Sequence, residues 1–582
     1  MTDDLGLIPR VTARVTYDEA AGGAVPEAAP VTMGAPNRVR LVRGAFVCAF
    51  AVLGLRLAYV SFGMGEEPTI ARMAATEAVR PEIADRMGRP LAMNRRTRGL
   101  AVDGRDVWDA AETARALAAL FPDVREDWLR ERLAARKYAH LLDDLSADER
   151  AAVVALGLPG MRYPEGMARV YPQGPLAAHV VGYTIPGRGG AIGAERAVEG
   201  RAIDGAAPTV RLTLDAGVQK VLEDELAGAI ETFSARAGWG VLMDAHDGAV
   251  LALASLPDFD PNGPGRSPAA NLRNRAASDA YELGSAFKPL TVAAAMDRGL
   301  IGEGERFAVA EPIRMGRWSI KDYSPRTEPL TASEILQYSS NIGTVRIAQR
   351  LGADGFVDAL DAFGLTEPLR TDLPEARAPL LPARWGEAEL ATASYGHGLA
   401  VSPLALTAAF AASVNGGEYV TPRFLRDTPV KARRVIEDET SAGLRVSLRR
   451  VLTDGTGKNA EARGYHAIGK TATADKPGAG GYEGSKLVTS FVGAFPGYDP
   501  DYVLLVSLDE PQGIPETYGF ATAGYTAAPV FRRVVERTAP MLGLMPVGDE
   551  VAFEGFVGLK RADAAPAPQL DALAQLLAEA AL

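Results

Sequence analysis

The sequence holds a single cysteine, Cys48, in 582 residues, so it can form neither an internal disulfide nor a cysteine-rich zinc site. Histidine is scarce too: His140, His179, His246, His397 and His466 are scattered, with no HExxH-type pair, which argues against a metal enzyme. A surplus of positive charge is missing. The net charge of −11 has the wrong sign for a nucleic-acid partner. What is present is ordinary for folded protein, with 47% hydrophobic and 23% charged residues, which excludes wholesale disorder. A chain this long exceeds what one core organises, so several structural units are expected.

One apolar run stands apart. After Arg38, Arg40 and Arg43 comes GAFVCAFAVLGLRLAYVSFG, residues 44–63, with Arg56 as its one charge. Some twenty apolar residues are about what a helix needs to cross the hydrocarbon core. No small-residue cleavage site follows Gly63, so an uncleaved anchor is expected rather than a signal peptide. Basic residues before the span, with Glu66 and Glu67 after it, put residues 1–37 in the cytoplasm and the remainder outside. In a bacterium that outside is the periplasm. Arg56 costs about 3 kcal/mol within the span, and either snorkels to the interface or meets a partner helix. Cys48 reads as packing in the same helix.

Beyond the anchor the periodicities point to an α+β multidomain chain. Residues 1–37, rich in Ala, Pro, Gly and Thr, read as a flexible tail. AAETARALAALF (110–121) and REDWLRERLAARKYAHLL (125–142) have helical spacing. PTVRLTLDAGVQKVLEDELAGAIETFSA (208–235) reads as a short strand, a turn at Asp215 and a long helix. Residues 238–262 are two apolar runs around His246-Asp247-Gly248, a hairpin signal that makes His246 a turn tip rather than half of a triad. SFVGAFPGYDPDYVLLVSLDEP (490–511) adds two strands around a turn, so helices should cover an antiparallel sheet. The expected divisions are a tail at 1–37, the anchor at 38–64, a pedestal at 65–205, a catalytic domain at 206–545 and a tail with a short helix at 546–582.

Three short motifs could carry chemistry. YELGSAFKPL (281–290) sets Ser285 three residues before Lys288 at a helix entrance, within reach on one face. A serine hydroxyl needs a base, and a lysine serves only if burial or a nearby cation lowers its pKa. Alone, the pair is more often two polar residues in an ordinary first turn. LTASEILQYSSNIGTVRIAQRLG (330–352) starts a helix at a Thr331–Glu334 capping box and breaks it at Ser339-Ser340-Asn341. Those residues make either a plain turn or a hydroxyl and an amide facing a cleft. GYHAIGKTATADKPG (464–478) places Lys470-Thr471-Ala472-Thr473 at the start of a strand, where a second amine near Lys288 would lower its pKa.

Taken in order, S-x-x-K, S-x-N and K-T-x resemble the signature of penicillin-binding proteins and serine β-lactamases. The chain resembles a class B penicillin-binding protein over roughly residues 38–540. RPEIADRMGRPLA (80–92), ARVYPQGPLAAHVVGYT (168–184), GGAIGAERA (189–197) and NRAASDAYELGSAFKPLT (274–291) extend the likeness beyond the motifs. GTGKNAEARGYHAIGKT (455–471) looks more like the septal, FtsI-type member than the elongation type.

The resemblance implies a pedestal of the penicillin-binding protein dimerisation type and a penicillin-binding/β-lactamase-like transpeptidase domain. It implies that Ser285 attacks the penultimate D-Ala of a peptidoglycan stem peptide, with Lys288 taking its proton. Ser339 would relay a proton to the leaving amine, Asn341 would hold the donor peptide, and Lys470 would keep the site positive. Thr471 and Thr473 would bind the substrate carboxylate, with Ala472 between them where the family usually has glycine. Backbone N–H groups of Ser285 and Thr473 would form the oxyanion hole. No cofactor is implied. The implied partners are lipid-linked nascent strands, β-lactams as inhibitors, and a polytopic glycosyltransferase of the FtsW kind with other division proteins. A β-lactamase would need a water-activating group that no motif supplies. The remaining alternatives are an elongation-type enzyme, an inactive division scaffold and a β-lactam sensor.

Overall fold

A computed structural model of the chain describes residues 46–52, 80–185, 187–199, 209–302, 304–316, 318–478 and 481–549. Two compact units divide at Glu77 and Ala78. Of the first, residues 46–52 are helical, with Phe46, Val47, Phe50 and Val52 exposed. Among the described residues no helix is long and apolar enough to cross a membrane. Most of the expected anchor, Arg56 with it, and nearly all of the C-terminal tail lie outside the described residues.

The second unit opens with a four-stranded sheet. In order it runs Glu165–Val170, Pro90–Arg98, Ile83–Ala84 and Val210–Arg211, the last pair parallel. A smaller three-stranded sheet carries the helices Ala110–Leu120 and Glu126–Ala134 over a separate core of Leu100, Val102, Leu117, Leu129 and Leu133. Here the structure corrects the helical reading of 125–142. The helix stops at Ala134, and Tyr138–Leu142 is a strand paired with Leu100–Asp103. Arg136 takes a left-handed φ of 49°, which ends the helix, and the strand pairing outweighs the local helical spacing.

Charge ties this region together. Glu195, with a side chain 0% exposed, receives hydrogen bonds from Arg169 Nε at 2.7 Å and Arg80 Nε at 3.2 Å. The paired cations offset what would otherwise be a costly buried carboxylate. Tyr171 and Asn262 exchange two hydrogen bonds of 2.9 Å, and the Ala177 N–H donates to Glu223 over the same distance. These contacts fasten the first region to the helix that follows it, through Glu223, and to a later loop, through Asn262.

That helix, α1 (Ala216–Thr232), begins at Asp215, whose carboxylate accepts from the N–H groups of Gly217 and Val218. It leads into an antiparallel five-stranded sheet. The strands are β1 (Ala237–Asp244), β2 (Val250–Leu256), β3 (Ile468–Gly478), β4 (Gly481–Phe495) and β5 (Tyr502–Asp509), in spatial order β2-β1-β5-β4-β3. Nearly every residue of β1, β2 and β5 is buried, so both faces are covered. α1 and α7 (Ala527–Thr538) pack together over one face. The helical layer on the other comprises α2 (Lys288–Asp297), α3 (Ala332–Tyr338), α4 (Asn341–Ala362, kinked at Gly352), α5 (Pro403–Val414) and α6 (Asp438–Thr453). The expected antiparallel sheet with flanking helices is present. The edge strand β3 lies beside this helical layer, and the three motifs meet there.

Candidate active site

Each motif is set by its own local structure. Ser285 lies in a 3-10 turn, Gly284–Phe287, that runs directly into α2. Pro289 sits in the first turn of α2, where its missing N–H costs nothing. The turn is held from behind. Tyr281 pairs with Val401 through two backbone hydrogen bonds and stacks on the fully buried Trp239, ring centres 4.3 Å apart. Gly284 N–H donates to Gly396 O, and a Cβ on Gly396 would lie 2.1 Å from Gly284 O. With φ of +84° as well, that position accepts little besides glycine.

The second motif is a hinge between helices. The Thr331–Glu334 capping box starts α3, and Ser339 ends it in the left-handed conformation, φ 60° and ψ 41°. Ser340 then caps α4 by accepting the Gly343 N–H. The third motif begins β3, with Lys470 opposite Val492 and Ala472 opposite Ser490 of β4.

These elements converge on one oxygen. Ser339 Oγ donates to Ser285 Oγ at 3.0 Å, and receives Lys470 Nζ at 3.0 Å and Lys288 Nζ at 3.2 Å. Lys288 also donates to Asn341 Oδ1 at 2.7 Å and to Ser339 O at 2.5 Å. Helical spacing suggested that Lys288 reaches Ser285 directly. Instead its amine is drawn to the oxygens of the Ser339 hinge, and the Ser339 hydroxyl touches both that amine and Ser285. Lys470 also donates to Thr471 O at 3.0 Å.

Both lysines are 0% exposed, while Ser285 is only half-buried and remains reachable. Burial is the main force holding the Lys288 amine well below the usual lysine range. The Lys470 charge pushes the same way and Asp322 opposes them. Burial also lowers Lys470, to about 7. The expected effect of a second amine on Lys288 is therefore real but ranks behind desolvation. Burial also lowers His397, with Asp475 opposing the shift and Lys288 adding to it.

The remaining residues sit along β3. Thr471 is buried, and its hydroxyl shares a 2.6 Å hydrogen bond with Thr456. Thr473 Oγ1 accepts the Ala523 N–H at 3.0 Å, which leaves its own proton to donate. Ala472 is 2% exposed and belongs to the main hydrophobic core. Strand alternation puts it on the same face as Lys470 and Ala474, toward the layer that carries Ser285. Its methyl is packed rather than presented in an open cleft. Sequence reasoning missed Thr456 and Asp322, which touch these residues from distant segments. Among the described residues no group of acidic, histidine or cysteine side chains could hold a metal ion.

Comparison with known proteins agrees with this geometry. Residues 238–536 match the penicillin-binding protein transpeptidase domain, and residues 75–232 the penicillin-binding protein dimerisation domain. The chain is 37% identical to a probable peptidoglycan D,D-transpeptidase FtsI of Caulobacter vibrioides, over 87% of this chain and 89% of that one. It is 30% identical to the peptidoglycan D,D-transpeptidase FtsI of Escherichia coli K12, over 83% of this chain and 87% of the relative. The crystal structure of penicillin-binding protein 3 from Mycobacterium tuberculosis in complex with aztreonam superposes with a TM-score of 0.63 at 25% identity. It covers 81% of this chain and 97% of that one. A serine–lysine pair, a serine hinge and a lysine strand meeting at one hydroxyl, behind a dimerisation domain, identify the chain as a member of the class B penicillin-binding proteins, alongside the FtsI-type peptidoglycan D,D-transpeptidases.

Proposed function

We propose that the protein cross-links peptidoglycan stem peptides at the division septum as a serine D,D-transpeptidase, with Ser285 as nucleophile. The observation that carries this reading is the meeting of Ser285, Lys288 and Lys470 at Ser339 Oγ, within 3.0–3.2 Å. Burial holds the Lys288 amine well below the usual lysine range, which favours the neutral form that can accept the Ser285 proton, directly or through Ser339. Ser285 Oγ then bonds to the carbonyl carbon of the penultimate D-Ala. The bond to the terminal D-Ala breaks, and the departing amine takes a proton back through Ser339. The amine of a neighbouring strand attacks the ester and restores Ser285. Lys470 orients Ser339, Asn341 holds the donor peptide, and the Thr473 hydroxyl takes the carboxylate. Thr471 supports that wall, and Ala472 fills the space between. A β-lactam carries the same carboxylate and acylates Ser285 in place of the donor.

The transpeptidase domain extends over about 206–545 and the pedestal over about 65–205. A membrane helix at 38–64 leaves residues 1–37 in the cytoplasm and the catalytic domain in the periplasm. Within that helix Arg56 meets a glycosyltransferase of the FtsW kind, and Arg56→Leu is expected to lose mid-cell recruitment. Unchanged recruitment and growth would count against that contact. The cross-linking reaction itself is tested with a pentapeptide-bearing polymer. Wild type should release D-Ala and form cross-linked products that Ser285→Ala does not form; equal product from both would refute the reading.

A further inference from the structure

Between the Trp318–Ile320 strand and α3 runs a segment that no sequence motif marked. Its first two residues grip the Ser339 hinge. Asp322 Oδ1 accepts the N–H groups of Asn341, at 2.5 Å, and Ile342, at 3.0 Å. Asp322 Oδ2 accepts the Ser340 hydroxyl at 2.6 Å. Lys321 O accepts Asn341 Nδ2 at 3.0 Å. Farther along, the Arg326 guanidinium lies over the Tyr338 ring, 3.4 Å from its centre. Every residue from Tyr338 to Ile342 is therefore either held by this strap or lies next to one that is.

Two features of the site need such a hold. Ser339 is a non-glycine residue in the left-handed region, a conformation that persists only where its surroundings over-determine it. Asn341 has an amide whose two ends are nearly the same shape. Because Nδ2 is fixed on Lys321 O, Oδ1 must face Lys288, where it accepts at 2.7 Å. The carboxylate also suits the N-terminus of the 22-residue α4, whose first N–H groups lack helical partners.

We propose that Asp322 is a positioning residue for acylation. Its three hydrogen bonds, with that of the Lys321 carbonyl, hold Ser339 and Asn341 in register with Lys288 and Ser285. This rests on the reading of Ser285 as the nucleophile. Of the charged groups that face Lys288, Lys470 from β3 lowers its pKa and Asp322 raises it, while His397, from the loop before α5, feels the Lys288 charge. Asp322 is the one that favours the protonated amine, so removing its charge moves the ionisation of Lys288 to lower pH.

The test measures the rate constant for acylation by benzylpenicillin against pH, in the full-length wild type, Asp322→Asn and Asp322→Ala. In Asp322→Asn the amide can keep all three hydrogen bonds, accepting at Oδ1 and donating from Nδ2 to Ser340, while losing the charge. It is expected to stay within roughly threefold of wild type on the alkaline plateau, with its acid limb displaced to lower pH. Asp322→Ala loses the hydrogen bonds as well and is expected to acylate at least about tenfold more slowly at every pH. A smaller loss in Asp322→Ala, or an unshifted acid limb in Asp322→Asn, overturns the proposal. Should Asp322→Ala fail to fold, the Asp322→Asn profile decides by itself. A wild type that takes no adduct at Ser285 would sink the nucleophile reading and the strap with it. A wild-type adduct with unaffected variants sinks the strap alone.

Discussion

Ser339 Oγ lies 3.0 Å from Ser285 Oγ and within 3.2 Å of both buried amines. A hydroxyl at such a junction carries protons in either direction without holding charge. Ser339→Ala should therefore lower acylation by a β-lactam by roughly 10²-fold or more, the usual scale for a positioned proton-transfer group. Stopped-flow acylation kinetics measure it, and a loss below tenfold would show that Lys288 serves Ser285 unaided.

The two lysines predict the acid side of the pH profile. Lys288 must be neutral to accept a proton, and burial with Lys470 beside it depresses its ionisation. Acylation should fall as acidification protonates Lys288, with its acid limb well below the ordinary lysine range. Replacing Lys470 by methionine removes a like charge, so Lys288 keeps its proton to higher pH and the acid limb moves upward. Folding responds as well. Lys470 titrates near 7 when folded and in the ordinary lysine range when unfolded. The unfolded chain thus holds more protons over that window, and stability should rise with pH from about 7 toward 10. Urea denaturation across that interval checks the sign.

Ala472 lies on β3 between Thr471 and Thr473. Its methyl is buried, so Ala472→Gly opens a small void and loosens a strand, at a cost of about 1 kcal/mol. Because the methyl is packed away from solvent, acylation by a β-lactam should change by less than roughly threefold. A larger gain in rate would place the methyl in the path of the ligand.

The pedestal prediction concerns Glu195. Its carboxylate is wholly buried between Arg169 and Arg80. Glu195→Ala leaves those cations without their partner and should destabilise the fold by about 3–5 kcal/mol. Differential scanning calorimetry measures it, and a loss under about 1 kcal/mol would contradict the assigned role.

Much of the site was legible because its parts are local. The serine three residues before a lysine, the Thr331–Glu334 box and the Asp215 cap are short patterns, and α2, α3 and α1 start where they indicate. What stayed hidden depends on packing. The Lys288 amine bends to the Ser339 hinge, where three oxygens lie within 3.2 Å of Nζ. Asp322 acts from seventeen residues before Ser339, and Thr456 from fifteen before Thr471. Neither has a spacing that periodicity can read. The strand at Tyr138–Leu142 was obscured for the opposite reason, since its residues continue a helical pattern that only pairing with a neighbour overrides.

Whether Ser285 forms an acyl-enzyme can be read by intact-mass spectrometry with peptide mapping after exposure to benzylpenicillin. One stoichiometric adduct is expected on the peptide that contains Ser285, and no adduct on Ser285→Ala. An unmodified wild type, or an adduct of equal yield in the variant, would contradict it.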